Sequence, residues 1–252
     1  MDFHEHAMNR PTPELSIIAP CFNEEKALPL LAARIAAARA ALGGAIELVL
    51  VDDGSRDDTW LVIQRLRETY DFITPARHGG NRGIVAGWRT GLAASRGRLV
   101  ATIDADLQYR PEDIPALRAS LDAAGADLAQ GARVKEVDRP PLRKFMTAGL
   151  SWALNLLFGM RLRDNKSGFL LGRREVFADI LTTRFQYRMF QHFIAVAAHA
   201  KGYRIVQTPI VFDPRAAGVS FISQPWRFAL GVLADLPLAL WEYRLAPPGK
   251  TA

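Results

Sequence analysis

Apolar, strand-like runs alternate with segments of helical periodicity through the first half of the chain, and that alternation leaves few architectures open. "LSIIAP" (Leu15 to Pro20) reads as a buried strand, and "EEKALPLLAARIAAARAAL" (Glu24 to Leu42) carries a helical apolar stripe until Gly43-Gly44 stops it. "IELVLVDDGS" is a second strand ending in two aspartates and a turn, and a helix follows from about Asp58 to Tyr70. A weaker strand near Phe72 to Ala76 leads into "RHGGNRGIVAGWRTGLAASRG", a Gly-rich loop and a helix. "LVATIDAD" is the next strand and "PEDIPALRASLDAAG" the helix after it. Strand and helix in turn at this spacing imply right-handed βαβ crossovers, and so an α/β fold with a mostly parallel central sheet and helices on both faces.

In such sheets ligands bind outside the carboxyl ends of the strands. Asp52, Asp53, Asp104 and Asp106 all fall at predicted strand ends, so they can gather along one edge. Carboxylates placed together repel unless a cation sits between them, and the Asp104/Asp106 pair offers hard oxygen ligands to a divalent ion. Mg²⁺ or Mn²⁺ carrying a diphosphate suits such a pair, because a metal there stabilises the charge that builds on a leaving phosphate. Asp58 and Asp113 lie near helix starts and read as N-terminal caps. "HGGNRG" lacks the Gly-Lys-Ser/Thr ending of a P-loop, which removes an ATPase reading. His4, His6, His78, His192 and His199 show no metal-ligand spacing, and His192 and His199, seven apart on one expected helix face, read as packing residues.

The 252 residues suffice for one α/β domain, and 49% hydrophobic with 23% charged residues is a globular balance. A formal net charge of +6 favours a polyanionic partner: nucleic acid, an anionic membrane or a phosphorylated substrate. No basic, aromatic-interleaved face or known module supports nucleic acid. The single cysteine, Cys21, excludes an internal disulfide and suits a reducing compartment. "MDFHEHAMNRPTP" has no apolar core like that of a signal peptide, so a cytosolic start is expected. No stretch reaches the roughly 20 apolar residues of a spanning helix. "FALGVLADLPLALW" (Phe228 to Trp241), interrupted by Asp235 and Pro237, is expected to lie on a membrane rather than cross it.

Taken together, "PCFNEE", "VDDGSRDDT", "NRGIVAGWRTGLAASRG", "DADLQYRPED", "GAR", "SGFLLGRREVF" and "RAAGVS" resemble, in order and spacing, the family 2 glycosyltransferases of GT-A fold. Within that family the likeness is to polyprenyl-phosphate glycosyltransferases, and it covers roughly Leu15 to Phe221. The resemblance implies a nucleotide pocket lined by Pro20, Phe22 and Glu24, with Val51 and Asp53 toward the base and ribose. It implies a D-x-D formed by Asp104, Ala105 and Asp106, with Asp106 the more direct metal ligand, Asp104 nearer the sugar, and Gln108 beside metal or phosphate. Arg133 and Arg215 match basic residues that reach phosphates. Where the family closes its last motif with a lysine this chain has Phe221, and Arg143 and Lys144 are the candidates to supply the missing charge. A lipid phosphate is already anionic and needs no strong base, whereas an alcohol acceptor would need one, for which Asp164 is the candidate.

Two segments outside the nucleotide half carry apolar faces with basic ends. "LRKFMTAGLSWALNLLFGMRLR" (Leu142 to Arg163) and "PWRFALGVLADLPLALWEYRL" (Pro225 to Leu245) have the composition of interfacial helices. The expected organisation is a flexible segment over 1–14 and a catalytic domain over 15–222. The domain divides into a nucleotide-binding half (about 15–135) and an acceptor-side half (about 136–222), and an amphipathic segment and tail follow over 223–252. The function so implied is inverting, metal-dependent transfer of a sugar from a UDP- or GDP-sugar to polyprenyl phosphate by an enzyme peripheral to the cytosolic membrane face. A hydroxyl acceptor, and a noncatalytic membrane-associated subunit that keeps the nucleotide pocket, are the alternatives, and an isologous dimer through the C-terminal segment is left open.

Overall fold

A computed structural model describes residues 12–136, 141–215 and 225–247. Its strands are β1 (Leu15–Cys21), β2 (Ile46–Asp52), β3 (Ile73–Arg77), β4 (Leu99–Thr102), β5 (Leu128–Glu136), β6 (Leu170–Arg173) and β7 (Ile205–Phe212). They form a 7-stranded sheet in the order β3-β2-β1-β4-β6-β5-β7. All neighbours are parallel except β6, which runs antiparallel to both β4 and β5. The helices are α1 (Leu28–Ala38), α2 (Thr59–Thr69), α3 (Ile84–Ala94), α4 (Ile114–Ala124), α5 (Pro141–Phe158), α6 (Arg174–Ile180), α7 (Ile194–Ala200) and α8 (Pro225–Leu240).

Strand periodicity sorts the core into two layers. Along β2, Leu48 and Leu50 join Leu31, Ile35 and Leu117 of α1 and α4, while Val49 and Val51 join Trp88, Phe177 and Phe193 on the opposite face. On that second face α3 lies close against β1, and two glycines permit it. A Cβ on Gly87 would come 2.7 Å from Cβ of Pro20, and one on Gly91 would overlap Cγ2 of Ile18. The close approach brings the start of α3 and the end of β1 to the same corner of the sheet.

Several expectations shift in detail. The first helix begins at Leu28 rather than Glu24, so Glu24 lies in the turn after β1. Asp58 stands at the N-cap of α2 but makes no side-chain cap bond; the Asp57 Oδ1 instead accepts from Thr59 N–H (3.1 Å) and Thr59 Oγ1 (2.6 Å). Asp113 stands at the N-cap of α4 but makes no side-chain cap bond. His192 lies in a 3₁₀ turn and His199 on α7, so they share no helix.

Asp235 and Pro237 interrupt the apolar run but not the helix, for α8 runs through both and passes into a π-turn at Trp241–Leu245. Proline removes a helical hydrogen bond, but Val232 and Ala239 are packed in the core, and buried Asp235 accepts Met189 N–H at 2.6 Å. Among the described residues no helix is long and apolar enough to cross a membrane.

Candidate active site

The site forms where β1, β2 and β4 end. After β4 the chain turns through Asp104, Ala105 and Asp106, with Leu107 in the left-handed region (φ 63°). That turn is held by its own backbone: Gln108 N–H donates to Asp106 Oδ1 at 3.0 Å. It is also clasped from the far side of the chain. Arg110 forms a two-pronged pair with Asp213 (2.5 and 2.7 Å), and Gln108 Nε2 donates to the Asp213 carbonyl at 3.2 Å. The clasp sets Arg215, two residues on, above the carboxylates. Its Nη2 lies 2.9 Å from Asp106 Oδ2, and its Nη1 donates to Glu24 Oε1 at 2.8 Å.

One guanidinium therefore bridges the turn after β1 and the turn after β4. Burial pushes the Glu24 carboxyl up to about 7, with Asp106 adding to the rise and Arg215 opposing it. Asp104 and Asp106 are both held above the usual carboxylate range, first by burial; at Asp104 the neighbouring Asp106 charge adds to it, and Arg215 opposes the rise at both. Two carboxylates that resist ionising together are what a divalent cation relieves. Among the described residues no cluster of three or more His, Cys, Asp or Glu side chains stands ready to enclose a metal. The donor set fits a cation of the Mg²⁺ kind, which takes one or two protein carboxylates and completes its shell with substrate phosphates and water. Asp104 and Asp106 would hold it. At Gln108 the amide nitrogen is already engaged, leaving Oε1 as its ligand-capable atom.

Just after β2, Asp53 is buried and organises the start of α3. Its Oδ1 accepts from Arg82 N–H (2.8 Å) and pairs with His78 Nδ1 (2.6 Å), and its Oδ2 accepts from Gly83 N–H (2.8 Å). His78 also meets Thr90 Oγ1 at 2.8 Å through Nε2. A cavity of about 290 Å³ opens beside them, lined by Gly54, Ser55, Arg77, His78 and Gly79. Gly54 has φ 72° and lies so near the Gly80 backbone that any Cβ would collide. Pro20 and Phe22 are half-buried nearby in sequence, while Ala105 is buried and the Val51 side chain is wholly in the core.

Arg133 of β5 and Asp164, in the segment before β6, form a bidentate pair (2.6 and 2.9 Å) with both side chains about nine-tenths buried, at 11% and 10% exposure. Arg133 also lies over the Phe212 ring, 5.3 Å from its centre. Burial alone would raise Asp164, but the hydrogen bonds and charge of Arg133 outweigh it and hold the carboxyl below the usual range. An acid held so firmly ionised is a weak proton acceptor. Arg143 and Lys144 fall on α5 where side chains are not described, and Phe221 lies outside the described residues.

Sequence reasoning weighed His78 only as a metal ligand and passed over Arg110 and Asp213. The D-G-S turn beside His78 was the available signal, and no local pattern marks the other two.

His192 is buried with its Nδ1 3.2 Å from the Met189 carbonyl. Burial pushes its imidazole down to about 4, and the positive charges of Lys166 and Arg133 act the same way. The unfolded imidazole takes its proton near 6.5, so this group's stabilising contribution is complete above that pH and is lost as pH falls toward 4, by about 3 kcal/mol at most. Urea melts across that window should show a shallower pH dependence for His192→Gln than for the parent. Identical slopes would mean that His192 is not held neutral.

The architecture is the GT-A fold of nucleotide-sugar transferases. Solved structures sharing it include glucosyl-3-phosphoglycerate synthase from Mycobacterium tuberculosis in complex with Mn²⁺, UDP and glucosyl-3-phosphoglycerate (TM-score 0.67, 18% identity, 90% of this chain and 80% of that one). A mannosyltransferase from Pyrobaculum calidifontis in complex with GDP-Man and Mn²⁺ also matches (TM-score 0.66, 18% identity, 92% and 65%). Residues 16–188 match the family model "Glycosyl transferase family 2", and the chain belongs to that family of enzymes.

Among curated relatives, dodecaprenyl-phosphate galacturonate synthase of Rhizobium johnstonii is 31% identical over 225 residues, 88% of this chain and 66% of the relative. Undecaprenyl-phosphate 4-deoxy-4-formamido-L-arabinose transferase of Pseudomonas aeruginosa is 32% identical over 211 residues, 82% and 59%. The chain thus spans somewhat under two thirds of those two relatives. It covers 95% of an uncharacterized glycosyltransferase of Mycobacterium tuberculosis, at 31% identity.

Proposed function

We propose that this enzyme transfers a sugar, with inversion, from a nucleotide diphosphate sugar to polyprenyl phosphate at the cytosolic face of a membrane. The observation that carries the reading is the division of labour between the two acidic groups of the site. Asp104 and Asp106 stand together with a cationic bridge over them, whereas Asp164, the carboxylate placed to serve as a base, is neutralised by Arg133. Such a site is suited to bringing two anions together rather than to stripping a proton from an alcohol. The polyprenyl-phosphate names of the curated relatives support the same acceptor class.

In this reading Asp104 and Asp106 hold Mg²⁺ or Mn²⁺, which when bound stabilises the charge on the departing diphosphate. Pro20, Phe22, Glu24 and Asp53 form the nucleotide side, and Val51, expected there from the sequence, instead packs its side chain into the core beside them. Arg215 turns from its carboxylate partners toward a phosphate when the donor enters, and Arg133 serves the acceptor phosphate through whichever part of its guanidinium its Asp164 pair leaves exposed. Positioning and electrostatic stabilisation supply the rate, with no general base. Peripheral membrane attachment is supported by large apolar side chains left in solvent on α5 and on the C-terminal segment, Trp152 at 68% and Trp241 at 56% exposure among them.

The test is a donor screen. Protein, Mn²⁺ or Mg²⁺, a short polyprenyl phosphate in detergent and a panel of UDP- and GDP-sugars are assayed for released nucleotide and, by mass spectrometry, for glycosylated lipid. A metal-dependent lipid-linked sugar from one donor is expected. Donor turnover with a hydroxyl acceptor and none with the lipid phosphate would overturn the acceptor assignment.

A further inference from the structure

Away from the strand ends, a groove of about 760 Å³ runs between the C-terminal half of α3 and the segment that follows α6. Arg89, Arg174 and Arg184 line it, together with apolar Leu92, Leu181 and Phe185, and no aspartate or glutamate does so among the described residues. The arginines are held by neutral partners. Arg89 donates twice to the Leu181 carbonyl (3.0 and 2.8 Å) and reaches Thr183 Oγ1. Arg174 donates to the carbonyls of Gly97 and Leu92 (both 2.9 Å) and to Ser95 Oγ (2.8 Å).

Carbonyl and hydroxyl acceptors fix these guanidinium planes without cancelling their charge, and Arg184 adds an exposed third. Elsewhere Arg34, Arg110, Arg133 and Lys201 are each matched to a carboxylate. The groove therefore concentrates uncompensated positive charge on a partly apolar floor, which is the complement of a phosphate ester carrying a hydrocarbon stem.

Its rim connects to the apolar surface of the C-terminal segment. Arg184 N–H donates to buried Glu242 at 2.9 Å, and Tyr187 Oη donates to the same carboxylate at 2.9 Å. Glu242 lies beside Trp241, and Leu245 of the same turn is 70% exposed. We infer that the groove binds the phosphate of an anionic phospholipid, seating the protein on the membrane surface beside its C-terminal segment. The inference rests on the membrane-bound reading above and assigns that attachment to particular residues, none of which belongs to the sugar-transfer site.

The full chain is sedimented with vesicles of phosphatidylcholine alone and of phosphatidylcholine mixed with phosphatidylglycerol. Binding to the mixed vesicles is expected to fall about fivefold in Arg184→Gln and further in Arg184→Glu, as expected for one basic side chain at an anionic surface. Arg65→Glu, an equal charge change on exposed α2, should leave it nearly unchanged. Thermal melts and turnover of short-chain polyprenyl phosphate in detergent should be unaltered by Arg184→Glu.

Equal losses for Arg184→Glu and Arg65→Glu would overturn the groove assignment while leaving membrane attachment standing. Absence of wild-type binding to either vesicle would overturn both, and the detergent assay would still report separately on sugar transfer. Inorganic phosphate that protects the wild type, but not Arg184→Gln, against thermal unfolding, without vesicle binding, would make this a free-phosphate site and overturn the lipid assignment.

Discussion

Asp106→Asn is expected to lower the rate of sugar transfer on the order of 10³-fold, with the fold intact. The loss follows from geometry as well as charge. Asp106 presents Oδ2 to Arg215 while Gln108 N–H holds Oδ1, so the carboxylate is fixed in direction before any donor arrives. Asparagine fills the same space and can retain the bond from Gln108, but it carries no negative charge for a cation. The rest of the turn is secured by the Arg110–Asp213 pair, which the substitution does not touch. Thermal melting should therefore change little, and isothermal titration with Mn²⁺ and nucleoside diphosphate should show metal-dependent binding weakened. Wild-type turnover in the variant, or in the parent enzyme after exhaustive chelation, would rule out the metal role of this pair.

Asp164→Ala should act the opposite way, primarily on stability. Removing the carboxylate strands the Arg133 guanidinium in a site about nine-tenths buried, and breaking such a pair from one side costs about 3–5 kcal/mol. For a domain of this size the melting temperature should fall on the order of 10 °C. Replacing both partners, Arg133→Met with Asp164→Leu, should recover much of that loss, because two apolar side chains leave no uncompensated charge. Turnover should not recover with it if Arg133 supplies charge to the acceptor phosphate. Restored stability together with restored turnover would reduce Arg133 to a packing role. An Asp164→Asn variant that keeps its melting temperature but loses a pH-dependent rate limb would favour the hydroxyl-acceptor reading instead.

How far the molecule could be read in advance depended on the range of the interactions concerned. The strands ending at Cys21, Asp52 and Thr102 announce themselves by apolar runs cut off by polar residues, and the turns they feed hold the residues named from sequence. The Asp104/Asp106 pair was legible because its two members sit on one turn. β6 was not, since its four residues, "LLGR", have no partner nearby in sequence, and its antiparallel place between β4 and β5 is set by pairing across the chain. Asp164 illustrates the same limit from the side of chemistry. Its position before "KSGF" suggested a base, but only its partner Arg133, 31 residues earlier, decides its protonation. Pro237 sits inside α8, where the packing of the helix outweighs the residue's low helical propensity.

The Arg110–Asp213 clasp carries a consequence for how the protein is made. Its partners are 103 residues apart, and the order of synthesis puts them at opposite ends of the wait. β1 to β4, which stand side by side at one end of the sheet, have left the ribosome well before β7 exists. At roughly 5–20 residues per second the intervening stretch takes about 5–20 s to synthesise. During that interval the nascent chain has its sheet corner and its two aspartates but no Arg215 above them. The enzyme thus acquires the finished form of this turn only once β7 and the residues after it have been made.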